Sequence, residues 1–304
     1  MKKSEIRKDY LLDKYVIIAP RRSKRPEQIK ETSVLVTPAS PFTAELIKKS
    51  KIIDSSGKGK NQIFVLKNLF PAVTLSNAKA YGSQEVIVDA LDPAIRLAEL
   101  PVEHIVRLLM MYSRRIKAMM KLSKIDYIIC FKNEGAAAGA SIYHEHSQLF
   151  GSSFVPPAVV EEQVRLKEYY TQHHSSFYSD LIAKEMKTRR RIYEDAYIVA
   201  FTPYASFYQY EVWIFTKRQV DSITGLNKHE YASLAKVLKI ILIKLKKLGL
   251  AFNYFTRQVV SDSHQHFCLK IEPRASIWAG VELDSGLVIN PVPPEEAASY
   301  YRKK

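Results

Sequence analysis

The sequence predicts an α+β fold with a mostly antiparallel sheet and flanking helices, in which one structural unit occurs twice along 304 residues. Two observations support this prediction. Short runs of β-branched and aromatic residues are followed by helices and then by further such runs, which is typical of α+β proteins. The order of strand, short loop, amphipathic helix and strand then appears a second time, which predicts a duplicated unit packed as a pseudo-dimer.

Three helices are predicted from apolar residues at helical spacing and from capping signals. The first follows Pro101 and keeps its arginines away from the apolar stripe. The second begins at Pro157 and continues through the polar stretch EEQVRLKEYY, which indicates a helix on the surface. The third has Asn227 as its N-cap, with a glutamate three residues later, and ends at Gly249.

Seven segments are short, rich in β-branched and aromatic residues, and therefore predicted to be strands. They are residues 15–20, 61–67, 85–90, 126–131, 197–202, 211–216 and 266–271.

The chain carries an excess of positive charge. Lysine and arginine number 46 against 31 acidic residues, a formal net charge of +15, which favours a polyanionic partner such as nucleic acid or a phosphate-rich small substrate. The two cysteines, Cys130 and Cys268, lie in apolar stretches and are expected to be reduced core residues. No segment resembles a signal peptide or reaches the length of a membrane span, so we expect a cytoplasmic protein without a membrane partner.

Ordered matches along the chain indicate the internal repeat. A Glu-Val pair occurs at 85–86 and again at 211–212, and a His-x-His pair occurs at 144–146 and again at 264–266. The first copy keeps a loop of glycine, alanine and serine before its histidines, at 135–141, which the second copy lacks. The first copy is therefore predicted to be the catalytic one. The predicted units are residues 1–185 and 186–304.

The segment His-Glu-His-Ser-Gln at 144–148 carries the predicted chemistry. On a strand, residues two apart share a face, so His144, His146 and Gln148 would line one polar pocket beside the small-residue loop, whose backbone N–H groups suit a phosphate. A neutral imidazole can attack phosphorus and form a covalent phosphoramidate, and a glutamine amide can stabilise the charge that develops on the phosphoryl oxygen. A metal site on the two histidines lacks a third ligand nearby.

Other polar residues leave alternatives open. The basic cluster at 21–25 directly follows the first predicted strand, where arginines can clamp a diphosphate. His264 and His266 fit substrate contact, metal binding and a structural role equally well. The remaining histidines fall on helices or helix starts and are expected at the surface; they are His104, His173, His174 and His229.

The segment from Phe131 to Gln148 resembles the galactose-1-phosphate uridylyltransferase branch of the histidine-triad superfamily, as do the N-terminal stretch VIIAPRRSKRP and the tail AGVELDSGLVINPVPPEEAA. The resemblance implies two fused histidine-triad units in one chain and a homodimer. It also implies residue roles: His146 is the nucleophile, Gln148, Ser141 and Asn133 bind the transferred phosphoryl group, Arg22 and Arg25 contact the nucleotide phosphates, Asn68 and Phe70 lie by the base or ribose, and Glu282 contacts the sugar.

The sequence departs from this family at a structural zinc site. Many members bind zinc through a Cys-Pro-x-Cys pair, a distant histidine and the first histidine of the motif, but here these positions read Ser40, Thr43, Pro93 and His144. Because the first three cannot replace thiolates and an imidazole, no metal and no other cofactor is expected, and His144 should be hydrogen-bonded instead. Val281 stands where a tyrosine is often found, which leaves the identity of the hexose open.

The predicted function is that of a nucleotidyltransferase of galactose-type carbohydrate metabolism, acting on a nucleoside diphosphate sugar and a hexose 1-phosphate through a covalent nucleotidyl-histidine. The stretch GASIYHEHSQ resembles ADP-glucose phosphorylases and dinucleoside-polyphosphate phosphorylases more closely, so a phosphorylase or hydrolase of adenine compounds is the first alternative. A nucleic-acid-binding protein on a degenerate enzyme fold is the second. Only the net charge favours it, and the intact histidine motif argues against it.

Overall fold

Two antiparallel-rich sheets form the centre of the computed structural model, which describes residues 3–24, 40–260, 262 and 264–303. Their strands are β1 (Glu5–Lys8), β2 (Tyr15–Ile18), β3 (Ile52–Ser56), β4 (Ile63–Lys67), β5 (Gly82–Val88), β6 (Tyr127–Glu134), β7 (His146–Ser152), β8 (Arg191–Glu194), β9 (Ile198–Phe201), β10 (Val212–Thr216), β11 (Phe252–Val259), β12 (Cys268–Pro273) and β13 (Val288–Asn290). Strands β1, β2 and β13 form the small sheet, in which β13 is parallel to β2. The other ten form one antiparallel sheet in the order β3-β4-β5-β7-β6-β11-β12-β10-β9-β8.

The large sheet consists of two five-stranded halves that meet where β6 pairs with β11, from Tyr127 opposite Val259 to Glu134 opposite Phe252. Outward from this seam, one half follows the order β6-β7-β5-β4-β3 and the other the order β11-β12-β10-β9-β8. The halves therefore repeat one topology. This confirms the α+β fold built from two fused units, whereas the boundary between residues 185 and 186 stays a prediction.

The helices in the described residues are α1 (Ala44–Lys49), α2 (Val102–Met119), α3 (Pro157–His173), α4 (Phe177–Glu185), α5 (Lys228–Lys247), α6 (Gly280–Ser285) and α7 (Pro294–Arg302). The long helices α2 and α5 pack together on one face of the large sheet. Because strand side chains alternate, only every second residue meets these helices, as Ile128 and Cys130 of β6 do. No helix of the described part of the chain is long and apolar enough to cross a membrane.

The opposite face is covered differently in the two halves. On the second half, α3 and α4 pack Leu166, Tyr178 and Leu181 onto β9 and β10. Helix α3 is therefore more than a surface helix, although most of its side chains are exposed. The same face of the first half carries His146 and Gln148, as shown below.

Two sequence-based expectations are wrong. Glu85 faces α2 and pairs with Arg115 (Oε1 to Nη2, 2.7 Å), whereas Glu211 lies on the opposite face and accepts a hydrogen bond from Trp213 Nε1 (2.8 Å). The Glu-Val match is thus not a structural equivalence, and only the order of elements repeats. His104 is buried, and its ring donates from Nε2 to the carbonyl oxygen of Asp89 (2.6 Å). His173, His174 and His229 are exposed as expected.

Candidate active site

His146 is the first residue of β7, a central strand of the first half. It lies opposite Val88 of β5, and Gln148 lies opposite Val86 of the same strand. Two residues apart on one strand, His146 and Gln148 share the sheet face that points away from α2 and α5. His144 precedes the strand, and its ring and that of His146 both contact Phe42, at 5.7 and 5.5 Å between centroids.

Both ring nitrogens of His144 are engaged. Nε2 donates to the carbonyl oxygen of Ala90 and Nδ1 accepts from the hydroxyl of Ser40, each at 2.6 Å. Burial lowers the pKa of His144, which agrees with a neutral ring in this tautomer. Among the described residues no cluster of His, Cys, Asp or Glu could hold a metal. Both ring nitrogens of His144 are occupied, and Ser40, Thr43 and Pro93 stand at the other three ligand positions of the family's zinc site. These residues therefore do not fit a zinc ion.

The imidazole of His146 is oriented by the main chain. Its Nδ1 donates to the carbonyl oxygen of His144 (2.8 Å), which leaves the lone pair on Nε2. The residue is 6% exposed. Burial is the main cause that lowers its pKa, and the charge of Lys132 lowers it further, so the ring is neutral near pH 7.

A cluster of buried charged residues contacts β7 on the sheet face opposite the imidazole of His146. Lys132 of β6 points toward the helix-covered face, where it donates to a carboxylate oxygen of Asp89 (2.9 Å) and to the carbonyl oxygen of His146 (3.2 Å), and it also pairs with Glu145. Ser147 donates to the same oxygen of Asp89 (2.9 Å). Burial acts to lower the pKa of Lys132, but the two carboxylates outweigh it and hold that pKa well above its ordinary value.

Sequence reasoning missed this cluster, although a signal was present. In the stretch Tyr-Ile-Ile-Cys-Phe-Lys of β6, the residues at 128 and 130 are apolar and face the core, and Lys132 continues the same register. Asp89 likewise continues the inward register of β5 after Ile87. A charge in the core register of a strand requires a buried partner, although the sequence does not show which residue that partner is.

The small-residue loop follows β6 and leads to His144. Gly135 and Gly139 adopt positive φ angles of 85° and 77°, around a short 3-10 turn of three alanines. The amide of Asn253 donates to the side-chain oxygen of Asn133 and to the carbonyl oxygen of Ala138, both at 2.8 Å, and so ties the loop to β6. The amide hydrogens of Asn133 remain directed away from that contact.

A cavity of about 390 Å³ lies against the loop and is lined by Asn133, Ser141 and His144, whereas His146 and Gln148 do not line it. Glu134 also lines it. Burial, followed by the charge of Glu145, raises the pKa of Glu134 to about 7.

The two residues expected near the base lie at the far end of β5 from His146. Asn68 donates from its backbone N–H to the carbonyl oxygen of Gln84 (3.3 Å), and its side-chain oxygen accepts from the N–H of Phe70 (2.9 Å). The ring of Phe70 is 91% exposed, which leaves it available to a ligand.

The remaining predicted residues lie elsewhere. Arg22 follows β2 of the small sheet, and its charge acts on Glu282 of α6. Glu282 accepts from the backbone N–H of Ala279 (3.0 Å) at the start of its own helix. No contact among the described residues joins either one to His146, and Arg25 lies outside the described residues.

The second histidine pair has structural contacts. His266 is buried and donates from Nε2 to the carbonyl oxygen of Thr216 (2.8 Å), and burial lowers its pKa. His264 lies against Tyr170, with ring centroids 5.1 Å apart.

The repeated half-sheet and a histidine at the start of a central strand are the features expected of a nucleotidyltransferase of the histidine-triad superfamily. A sequence model described as galactose-1-phosphate uridyl transferase, N-terminal domain, matches residues 1–156, more than half of the 304-residue chain. The chain belongs to this family.

Similar proteins carry two kinds of name. ADP-glucose phosphorylase of Arabidopsis thaliana is 28% identical over 98% of this chain and 92% of its own length. Galactose-1-phosphate uridylyltransferase of Thermotoga maritima is also 28% identical, over 98% of both chains. A solved structure of an Arabidopsis thaliana ADP-glucose phosphorylase with bound ADP-glucose superposes with a TM-score of 0.87, 28% identity and 99% coverage of both chains.

Proposed function

We propose that this enzyme transfers a nucleoside monophosphate from a nucleoside diphosphate sugar to a second phosphate compound, through a covalent bond between the α-phosphorus and Nε2 of His146. One observation carries the proposal. The hydrogen bond from Nδ1 of His146 to the His144 carbonyl oxygen places the lone pair on Nε2, in a neutral ring on the sheet face that also carries Gln148. A neutral, oriented imidazole is the form that attacks phosphorus.

Each step of the proposed reaction balances. In the first, Nε2 forms a bond to the α-phosphorus while the bond to the bridging oxygen breaks, and the sugar 1-phosphate leaves with the electron pair. The ring keeps its proton on Nδ1, and the carbonyl oxygen of His144 stabilises the positive charge that the ring acquires. In the second, an oxygen of the acceptor phosphate forms a bond to the phosphorus while the bond from phosphorus to Nε2 breaks, and the electron pair returns to Nε2, which regenerates the neutral imidazole.

The polar groups near His146 would bind the phosphoryl oxygens. Gln148 is two residues along the same strand face, and its amide can donate to an oxygen as negative charge develops there. Asn133 and Ser141 line the cavity against the loop and would bind the same group.

The nucleoside would extend along β5 toward Asn68 and Phe70. The strand position opposite His146 is Val88, and Gln84, which holds Asn68, is four residues away. At a rise of about 3.3 Å per residue this separation is roughly 13 Å, which suits a nucleoside attached to a phosphate at His146. Arg22, Arg25 and Glu282 keep the roles that the family resemblance implies, with the arginines on the nucleotide phosphates and the glutamate on the sugar.

A second candidate concerns the acceptor and the base. The similarity to ADP-glucose phosphorylase of Arabidopsis thaliana, at 28% identity over 98% of the chain, favours ADP-glucose as donor and inorganic phosphate as acceptor. The equal similarity to uridylyltransferase of Thermotoga maritima favours UDP-glucose and a hexose 1-phosphate. The net charge of +15 suits either pair of phosphate-rich substrates.

Intact-protein mass spectrometry after brief mixing with one donor at a time tests the mechanism and names the base. The donors are UDP-glucose, UDP-galactose, ADP-glucose and diadenosine tetraphosphate, with His146→Ala as control. We expect one uridylyl or adenylyl group on the wild-type protein and none on the variant. The isolated adduct is then mixed with galactose 1-phosphate, with inorganic phosphate or with buffer alone, and the compound that removes the nucleotide is the acceptor. An adduct that also forms on His146→Ala, or no adduct from any donor on folded protein, would refute the proposal.

We also propose that the enzyme is a homodimer. Large apolar side chains stand exposed around α6, at Ile277 and Leu283. Exposed apolar clusters of this kind mark association surfaces. Sedimentation equilibrium should give twice the chain mass, and a Leu283→Asp variant should shift the protein toward monomer, whereas a monomeric wild-type protein would refute the proposal.

A further inference from the structure

A second cavity, of about 570 Å³, lies in the other half of the large sheet, on the face that α3 and α4 partly cover. Its floor is formed by three adjacent strands, with Phe255 of β11, Lys270 of β12 and Trp213 of β10 side by side in register. These strands correspond in the repeat to β6, β7 and β5 around His146. Neither His146 nor Gln148 lines this cavity, so it is distinct from the site described above.

Aromatic rings form much of its wall. Trp278 and Tyr208 stack nearly parallel, with centroids 5.4 Å apart at an angle of 11°, and both line the cavity. Trp213 on the floor and Phe207 beside it extend the aromatic surface. An exposed aromatic surface of this kind favours a ligand that has a flat ring.

The carboxylates around the cavity have partners in the chain: Asp13 pairs with Lys8 (2.6 Å), and Asp9 accepts from the backbone N–H groups of Leu11 and Leu12 (3.0 and 2.9 Å). Glu162 pairs with Arg257, and Glu272 pairs with Arg274 (3.3 Å). Glu211 accepts from the backbone N–H of Phe207 (2.7 Å) and from Trp213 Nε1 (2.8 Å).

Burial raises the pKa of two of these groups, and at Glu211 the shift is large enough to leave the carboxyl mostly protonated near neutral pH. It raises the pKa of Glu211 to about 8, with a further contribution from the charge of Glu272, and it raises the pKa of Glu272 as well.

Lys270 differs from these groups. Its ammonium lies 4.1 Å from the ring centroid of Trp213 and forms no salt bridge within the described ranges, although its charge acts on Glu162, Glu211 and Glu272. Lys14, at the rim, carries a second exposed positive charge. An anionic group on a ligand would therefore find a cation on the cavity floor directly beside an aromatic surface.

We propose that this cavity is a second binding site, separate from the catalytic histidine, for a small organic anion that carries a flat ring. Nucleoside monophosphates and simple aryl phosphates share this chemistry. The phosphate would contact Lys270, and the ring would lie against Trp213 and the Trp278–Tyr208 pair.

Tryptophan fluorescence reports on this site directly, because the chain contains two tryptophans and both line the cavity. Tryptophan fluorescence is titrated with AMP, UMP and phenyl phosphate, and separately with adenosine and with inorganic phosphate. We expect a saturable change with at least one of the three ring-bearing phosphates, and a binding at least tenfold weaker for adenosine and for phosphate alone, since each lacks one half of the recognised group.

Isothermal titration calorimetry on variants locates the binding independently of the fluorescence signal. Lys270→Met should weaken the binding of the responding phosphate roughly tenfold or more, because a charge-assisted contact is lost. Lys236→Met, at an exposed position of α5, is the matched control and should bind normally. His146→Ala should also retain the tryptophan response, which separates this site from the catalytic one. No fluorescence change with any of the three phosphates, or equal binding by Lys270→Met, would overturn the proposal.

Discussion

Nδ1 of His146 lies 2.8 Å from the main-chain carbonyl oxygen of His144, and the carbonyl oxygen of His146 itself accepts from buried Lys132 (3.2 Å). The ring is thus oriented by its own chain two residues earlier, and that stretch of chain is held in turn by a buried charge. The first contact fixes the tautomer that leaves the lone pair on Nε2, on the face that carries Gln148, and the charge of Lys132 lowers the pKa of the ring. The predictions below follow from these contacts and from the loop that precedes them.

The rate of adduct formation should be nearly constant around neutral pH and fall in acid, because only the neutral ring of His146 has the Nε2 lone pair. Burial lowers the pKa of His146 below its ordinary value of 6.5, so the fall should occur below that pH. Quenched-flow mass measurement of the adduct across pH supplies the profile. A midpoint above 6.5 in the wild-type protein would contradict the assignment.

Ser40→Ala should lower the free energy of unfolding by about 1–3 kcal/mol, because it leaves Nδ1 of buried His144 without a partner. The rate of adduct formation should also fall, since the His144 carbonyl then no longer holds His146 as firmly. Urea unfolding and the adduct assay measure the two effects. Ser55→Ala, at an exposed position, is the control and should change neither quantity. A silent Ser40→Ala would show that His144 is anchored by Ala90 alone.

Lys132→Met should lower the free energy of unfolding by about 3–5 kcal/mol, because it leaves Asp89 buried without a cation and removes one of the two cations that pair with Glu145, the other being Arg96. Adding Glu145→Gln should recover part of the loss, since one of the two carboxylates is removed. Urea unfolding of the single and double variants measures both steps, with exposed Lys236→Met as control. If the double variant is less stable than the single one, the pairing of Glu145 with Arg96 (3.2 Å) contributes more than the removal of the second carboxylate recovers.

Lys132→Met has a second expected effect, on the pH profile. The positive charge of Lys132 lowers the pKa of His146, so its removal should move the acid fall of adduct formation to higher pH. A destabilised protein without any change in electrostatics would lose rate equally at every pH. The shape of the profile therefore separates the two explanations.

Long periodic segments were predictable from sequence because their local signals agree with their packing. The third predicted helix, from Asn227 to Gly249, corresponds to α5, where Asn227 caps the helix and Glu230 completes the capping box. Strand β11 was not predicted, although it forms the seam between the halves. Its residues alternate apolar and polar, but they follow Gly249 so closely that they read as a loop.

The site was predictable only as far as it is local in sequence. The alternation of side chains along a strand predicts that His146 and Gln148 share a face. The loss of the zinc ligands predicts that the ring of His144 is hydrogen-bonded. The cluster of Lys132 and Asp89 joins residues 43 positions apart, and no local pattern shows which strands are neighbours. The Glu-Val match gave a wrong structural equivalence, because sequence spacing does not reveal which face of a sheet a residue occupies.

Gly135 and Gly139 form a matched pair that tests the loop. Gly135 has φ 85° and ψ 154°, a region that is essentially confined to glycine, and a Cβ there would lie 2.8 Å from the Cβ of Ala251. Gly139 has φ 77° and ψ 19°, a left-handed conformation that alanine adopts at lower cost, and a Cβ there would meet no atom within 4 Å. Gly135→Ala should therefore lower the free energy of unfolding by about 2–4 kcal/mol and Gly139→Ala by about 1 kcal/mol.

Activity should follow the same order, because a shifted loop no longer presents its backbone to the phosphate next to His146. The adduct assay at subsaturating donor should show a larger loss for Gly135→Ala than for Gly139→Ala. Adding Ala251→Gly to Gly135→Ala removes the contact between the two Cβ atoms and leaves the backbone strain, so it should restore stability and rate in part. Equal losses in the two single variants would mean that the contact with Ala251 has no effect and that positive φ alone determines the requirement for glycine.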